Sequence, residues 1–162
     1  MPSTCHDSYN TVSNRFRIYA LVSLVNLHLE YSLIERHIEH EYTAFATQLG
    51  MGITAWSPLG MGLLSGKHRP SRHGRRYRRG ASGESGRRLD STGLPSRCWR
   101  IVAELAQVAE AFAKPMAQVA LNWVANRPGV GSVIVGATKL AQLEDHLAAL
   151  DFSLPEALRQ RL

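Results

Sequence analysis

Between Ile53 and Lys67 the chain reads Ile-Thr-Ala-Trp-Ser-Pro-Leu-Gly-Met-Gly-Leu-Leu-Ser-Gly-Lys, a β-favouring run that stops at a proline and opens into closely spaced glycines. Pro58 fixes its own φ and pushes Ser57 away from the helical region, so a buried strand must end at Trp56. Gly60, Gly62 and Gly66 permit positive φ or a close approach of backbone to a ligand. The result is a strand-end loop with a flat aromatic at its tip and free N–H groups behind it, suited to stacking on a planar ring and to receiving phosphate. The same residues also describe a glycine-rich turn behind a core tryptophan, and the stretch alone does not choose between the two.

Around it the chain alternates strand and helix signals. Leu21 to Tyr31 is Leu-rich and β-branched, with a strand expected near residues 23–29. Glu35 to Leu49 carries Ile38, Tyr42, Phe45 and Leu49 on one helical face, with Gly50 as its stop. A second strand is expected over residues 51–56. Ile101, Val102, Leu105, Val108, Ala109 and Phe112 keep helical spacing between Trp99 and Ala113. Pro115 starts another helix, lined by Met116, Val119, Ala120, Trp123 and Val124, where Trp123 reads as a packing residue. Val133-Ile134-Val135 predicts a third strand over residues 132–135, followed by a turn in which Thr138 caps a helix. That helix buries Leu140, Leu143, Leu147 and Leu150, and its N-terminus behind Gly136 forms an anion site. Ser153-Leu154-Pro155-Glu156 reads as a capping box for a terminal helix.

Three segments, in order, resemble the aldo-keto reductases. Leu-x-Leu-Glu-Tyr-Ser-Leu-Ile-Glu-Arg, from Leu27 to Arg36, is similar to that family's sixth strand; Thr54 to Lys67 to its seventh-strand loop; and Ile134 to Leu147 to its eighth strand and following helix. The likeness covers about residues 23 to 158. It implies an α/β fold: a partial (β/α)8 TIM barrel, with residues 1–20 a polar, disordered leader and residues 21–162 the C-terminal part. At 162 residues the chain is too short for the whole barrel, which takes about 250.

The resemblance further implies NADP(H) as cofactor. Trp56 would stack on nicotinamide; Ser57, Leu59, Gly60 and Gly62 would lie over the pyrophosphate; Gly136, Thr138, Lys139, Gln142 and Asp145 would hold the adenosine end, with Lys139 on the 2′-phosphate. His28 stands where the family has a glutamine at the carboxamide, and His146 where it has an asparagine at adenine. The family's Asp, Tyr, Lys and His catalytic residues belong to the first half of the barrel. Tyr31, Lys67 and Lys114 do not match them, so no catalytic residue is assigned here.

Three functional readings follow. The chain is a truncated NADP(H)-dependent reductase of aldehydes and ketones, active on a small carbonyl substrate once an N-terminal half completes it. Alternatively it is a non-catalytic NADP(H)-binding regulator of the potassium-channel β-subunit type, or a relic without function. Open sheet edges imply self-association in any of these.

Charge points to no further partner. His68 to Arg88 holds eight arginines against Glu84, a local net of +7, so with a whole-chain charge of +6 the remainder sums to −1. With one aromatic, Tyr77, amid Gly and Ser, the stretch reads as a flexible solvated loop over 68–96 rather than a nucleic-acid site. His37 and His40 among Glu35, Glu39 and Glu41 read as a charged outer helix face rather than a metal site. Cys5 and Cys98 give no disulfide framework, and no run approaches the roughly 18 apolar residues of a membrane span, which places the chain in the cytoplasm as an expectation.

Overall fold

A computed structural model describes residues 25–68 and 95–162; the expected leader, and residues 69–94 of the basic stretch, lie outside the described residues. Three strands, β1 (Asn26–Glu30), β2 (Gly52–Trp56) and β3 (Val130–Val133), form one sheet in the order β1-β2-β3, with both pairings parallel. Helix α1 (Tyr42–Gln48) lies between β1 and β2, while α2 (Ser96–Ala111) and α3 (Met116–Ala125) lie between β2 and β3. After β3 come α4 (Leu140–Leu147) and α5 (Glu156–Arg161).

Strand alternation sorts the sheet into two faces. Leu27, Leu29, Ile53, Ala55, Val130 and Val133 join the hydrophobic core on the helix side. Asn26, His28, Trp56 and Ser132 are exposed on the other. The third strand sits two residues earlier than the expected 132–135. Ile53 pairs with Val130 and Thr54 with Ser132, so Gly131 is a bulge residue. The bulge lets Val130 and Val133, three residues apart, both face the core, and releases Ile134 and Val135 into the following loop. Helix α3 is the centre of the packing, with every residue from Ala117 to Val124 buried. Asn122 ties its end down, donating from Nδ2 to the carbonyls of Ala149 at 2.8 Å and Phe152 at 2.7 Å.

Several local expectations need correction. The helix expected over 35–49 is a 3-10 turn, His37–Glu39, and then α1, with Glu41 between them at φ −132°. Glu39 does not join the charged outer face: it turns inward, accepting from the Tyr31 hydroxyl at 2.7 Å, Arg36 at 3.0 Å and Arg127 at 3.1 Å. Gly50 ends α1 at φ 67°, as expected of a C′ glycine. Thr138 is not the cap of α4. That position belongs to Lys139, and both the N–H and the hydroxyl of Thr138 donate to Gln142 Oε1, at 3.0 and 3.1 Å. Pro155, which offers no side-chain bond, replaces the expected capping box ahead of α5.

The largest correction concerns the leucines of α4 and of the 3-10 turn Ala148–Leu150 that follows it. Leu140, Leu147 and Leu150 are 71%, 56% and 67% exposed and Leu143 40%, so the stripe read as buried faces outward. Their spacing does mark one apolar face, but β3 is the edge of the sheet and no described element lies against the helix on that side.

Candidate functional site

The strand-end loop after β2 is built on left-handed backbone. Ser57, Gly60, Met61, Gly62 and Gly66 have φ of 56°, 54°, 55°, 90° and 76°. At Ser57 and Met61 this is uncommon for a residue with a Cβ, and such conformations persist where surrounding contacts hold them. Two short 3-10 turns over Gly60–Ser65 meet at Met61-Gly62, and Leu63 and Leu64 anchor them in the core. The loop is therefore fixed from below while its upper side stays open.

That upper side faces the segment leaving β3 across a cleft of about 590 Å³. Of the residues singled out in the sequence, Ser57, Leu59 and Gly62 line it from one side. Gly136, Gln142, Asp145 and His146 line it from the other. Gly60 turns elsewhere: a Cβ there would meet Ile34 and Leu64 at 3.3 and 3.9 Å. Thr138 and Lys139 sit in the turn between Gly136 and Gln142 without lining the cleft. Trp56 and His28 share the open face of the sheet, two positions apart along the register, with Trp56 40% exposed at the strand tip.

The sequence reading missed Lys67 and His68, which bring positive charge or titratable nitrogen to the cleft wall, and Ile134 and Val135, which give it an apolar side. Lys67 closes the quoted Ser-Gly-Lys motif, the signal that could have found it. Asp145 is held by Gln118, whose Nε2 donates to its Oδ1 at 2.7 Å. His146 Nδ1 is buried without a partner among the described residues. A buried ring nitrogen without a bond is costly, and one beside an open cleft is placed to bond what enters.

Tyr31 does not line the cleft and is not poised for proton transfer. Tyr31 is fully buried, and burial together with its bond to Glu39 pushes its pKa up to about 12. That is the reverse of activation for proton transfer near neutrality. Its oxygen instead accepts from Arg127 Nε at 2.9 Å, within a hub where Arg36 and Arg127 pack over the Trp123 ring at 4.8 and 4.7 Å from the centroid.

The cleft at the carboxyl ends of parallel strands matches where ligands bind in open and closed α/β sheets. The sequence profile of the Aldo/keto reductase family matches residues 17–161. The chain belongs to the aldo/keto reductase family. It is 34% identical over 130 residues to a probable voltage-gated potassium channel subunit beta of Arabidopsis thaliana, covering 75% of this chain and 37% of that protein. To an uncharacterized oxidoreductase of Bacillus subtilis it is 32% identical over 141 residues, covering 87% and 40%. To L-glyceraldehyde 3-phosphate reductase of Escherichia coli K12 it is 32% identical over 130 residues, covering 75% and 35%. The chain thus spans two fifths or less of the length of these relatives. The family has a (β/α)8 fold, and the three-stranded parallel sheet is consistent with part of such a barrel. No helix among the described residues is long and apolar enough to cross a membrane.

Proposed function

We propose that this aldo/keto reductase chain contributes the NADP(H)-binding side of an oxidoreductase site, with β1, β2 and β3 standing as strands six, seven and eight of the family barrel. The observation that carries this is a cleft in which the loop after β2 and the start of α4 converge, with Lys67 and His146 Nδ1, which has no partner among the described residues, in its wall. Its volume suits a small organic ligand. Lys67 would meet phosphate, as would the N–H groups of the Ser57–Gly62 loop; Gln142, Asp145 and His146 would hold the adenosine end, and Trp56 offers its exposed ring to nicotinamide. Nicotinamide, when bound, supplies the hydride for reduction of a small aldehyde or ketone. Turnover requires the remaining strands, whose Asp, Tyr, Lys and His residues this chain does not match, and the compartment is the cytoplasm.

Similarity to potassium-channel β-subunits favours a second reading, a non-catalytic NADP(H)-binding regulator. Both readings require the cofactor, so the first experiment is an NADPH titration followed by tryptophan fluorescence, with Trp56→Phe assigning the quench. Lys67→Ala and Lys139→Ala, compared with NADPH and NADH, locate the 2′-phosphate. A charge-assisted bond of about 1.5–3 kcal/mol predicts a ten- to hundredfold loss confined to NADPH. A quench that tripolyphosphate removes entirely, and that neither lysine variant alters, would sink the proposal.

A further inference from the structure

A second cleft, of about 440 Å³, shares no lining residue with the cleft after β2. Four arginines line it from three separate parts of the chain: Arg36 after β1, Arg97 and Arg100 in the first turns of α2, and Arg161 at the end of α5. Among the described residues Glu104 is the one acidic side chain in its wall. Guanidinium groups do not shed their charge in a protein; carboxylates already answer two of the four, Glu39 for Arg36 and Glu104 for Arg161, which leaves the charges of Arg97 and Arg100 open to an anion.

Two of the four are pre-positioned. Arg36 has its Nε/Nη2 fork engaged by both oxygens of Glu39 at 3.0 Å, rests on the Trp123 ring, and donates from Nη1 to the Leu162 main-chain oxygen at 3.0 Å, so only its Nη1 edge faces the cleft. Arg161 is held by Glu104 at 2.7 Å and by Gln107 at 3.3 Å. The other two differ: Arg97 is exposed and its charge is felt by Glu35, while exposed Arg100 has no ion pair among the described residues. Both also stand at the positive end of a sixteen-residue helix. Braced arginines beside unengaged ones, with rigid planar forks, match the several oxygens of a phosphate group better than a single carboxylate.

We propose that this cleft binds a phosphate-bearing small molecule, at a site separate from the cofactor cleft. The probe is inorganic pyrophosphate, titrated calorimetrically into the full chain at 150 mM salt, with citrate as a carboxylate of similar charge. The tightest class of pyrophosphate site should weaken tenfold or more in Arg97→Gln/Arg100→Gln, and in Arg97→Lys/Arg100→Lys too, because lysine keeps the charge but not the fork. Both positions are exposed, so folding should survive, and matching circular dichroism checks it. Arg159→Gln, which removes an arginine paired only with Glu156, should leave that class unchanged. A loss of less than fivefold in the glutamine pair overturns the proposal. So does an equal loss in Arg159→Gln, which would mark diffuse attraction to a basic chain, and so does citrate binding as tightly as pyrophosphate.

Discussion

Gln118 donates from Nε2 to Asp145 Oδ1 at 2.7 Å, joining the buried helix α3 to the wall of the cleft after β2. Because Gln118 is itself buried, it fixes the Asp145 carboxylate from behind without entering the cleft opening. Gln118→Leu keeps the volume and removes the donor. It should weaken NADPH and NADH alike by about tenfold, the scale of one hydrogen bond to a charged group, while the urea midpoint moves little. NADPH affinity within twofold of the parent would mean that Asp145 does not need this support.

How far such features can be read from sequence depends on whether the signal is local. The β-branched runs and Gly-Pro punctuation gave the strands and the loop after Trp56, because strand period and positive φ are properties of a few adjacent residues. The leucines from Leu140 to Leu150 gave a helix and its apolar face, but nothing in that period says whether a neighbour covers the face. Glu39 was read outward by its charged neighbours; its inward turn depends on Arg127, 88 residues away. Lys67 and Asp145 meet at one cleft only through the fold, and no spacing predicts that.

The Glu39 hub should set the chain's response to pH at both ends. Burial pushes the Glu39 pKa up, but hydrogen bonds from Arg36 and Tyr31 outweigh it and hold it below the usual carboxylate value. Its contribution is therefore present at neutral pH and is lost as pH falls through the depressed folded value. Tyr31 acts in the opposite sense. With its pKa raised from 10.0 to about 12, its contribution is complete below pH 10 and disappears as pH rises toward 12. Tyr31→Phe should abolish that alkaline loss, and Glu39→Gln should reduce the acid one while costing about 1 kcal/mol near neutrality, because two partly exposed arginines lose their shared carboxylate. Urea midpoints across pH test both; an alkaline limb that persists in Tyr31→Phe would place it on another group.

Gly66 carries a steric prediction. Its φ is 76°, and a Cβ there would lie 3.0 Å from Met116 Sδ. Gly66→Ala should destabilise by about 1–2 kcal/mol from the left-handed backbone alone, with a further cost from the contact. In a Met116→Ala background the contact disappears and the backbone term remains, so a double-mutant cycle separates them. No coupling between the two sites would show that the methionine simply swings aside.

The leucine stripe on α4 predicts the association behaviour of the isolated chain. Leu140, Leu143, Leu147 and Leu150 project from one face of the segment that follows β3, and among the described residues no strand pairs with β3 on the side away from β2. A further β/α unit would cover both at once, its strand pairing with β3 and its helix packing on the leucines, as the family's eight-stranded closure requires. Each leucine withdrawn fully from water gains about 1.5–3 kcal/mol, so without such a unit the face gains by meeting another copy. Sedimentation of the purified chain should show concentration-dependent association, and Leu143→Lys/Leu147→Lys should shift it toward monomer with unchanged helical circular dichroism. Lysine is helix-compatible, so lost helicity would point to a structural role for these side chains instead. If the double variant associates as strongly as the parent, the contact runs through the unpaired strand edges rather than the helix. A parent chain that stays monomeric at all concentrations would mean the stripe tolerates water without a partner.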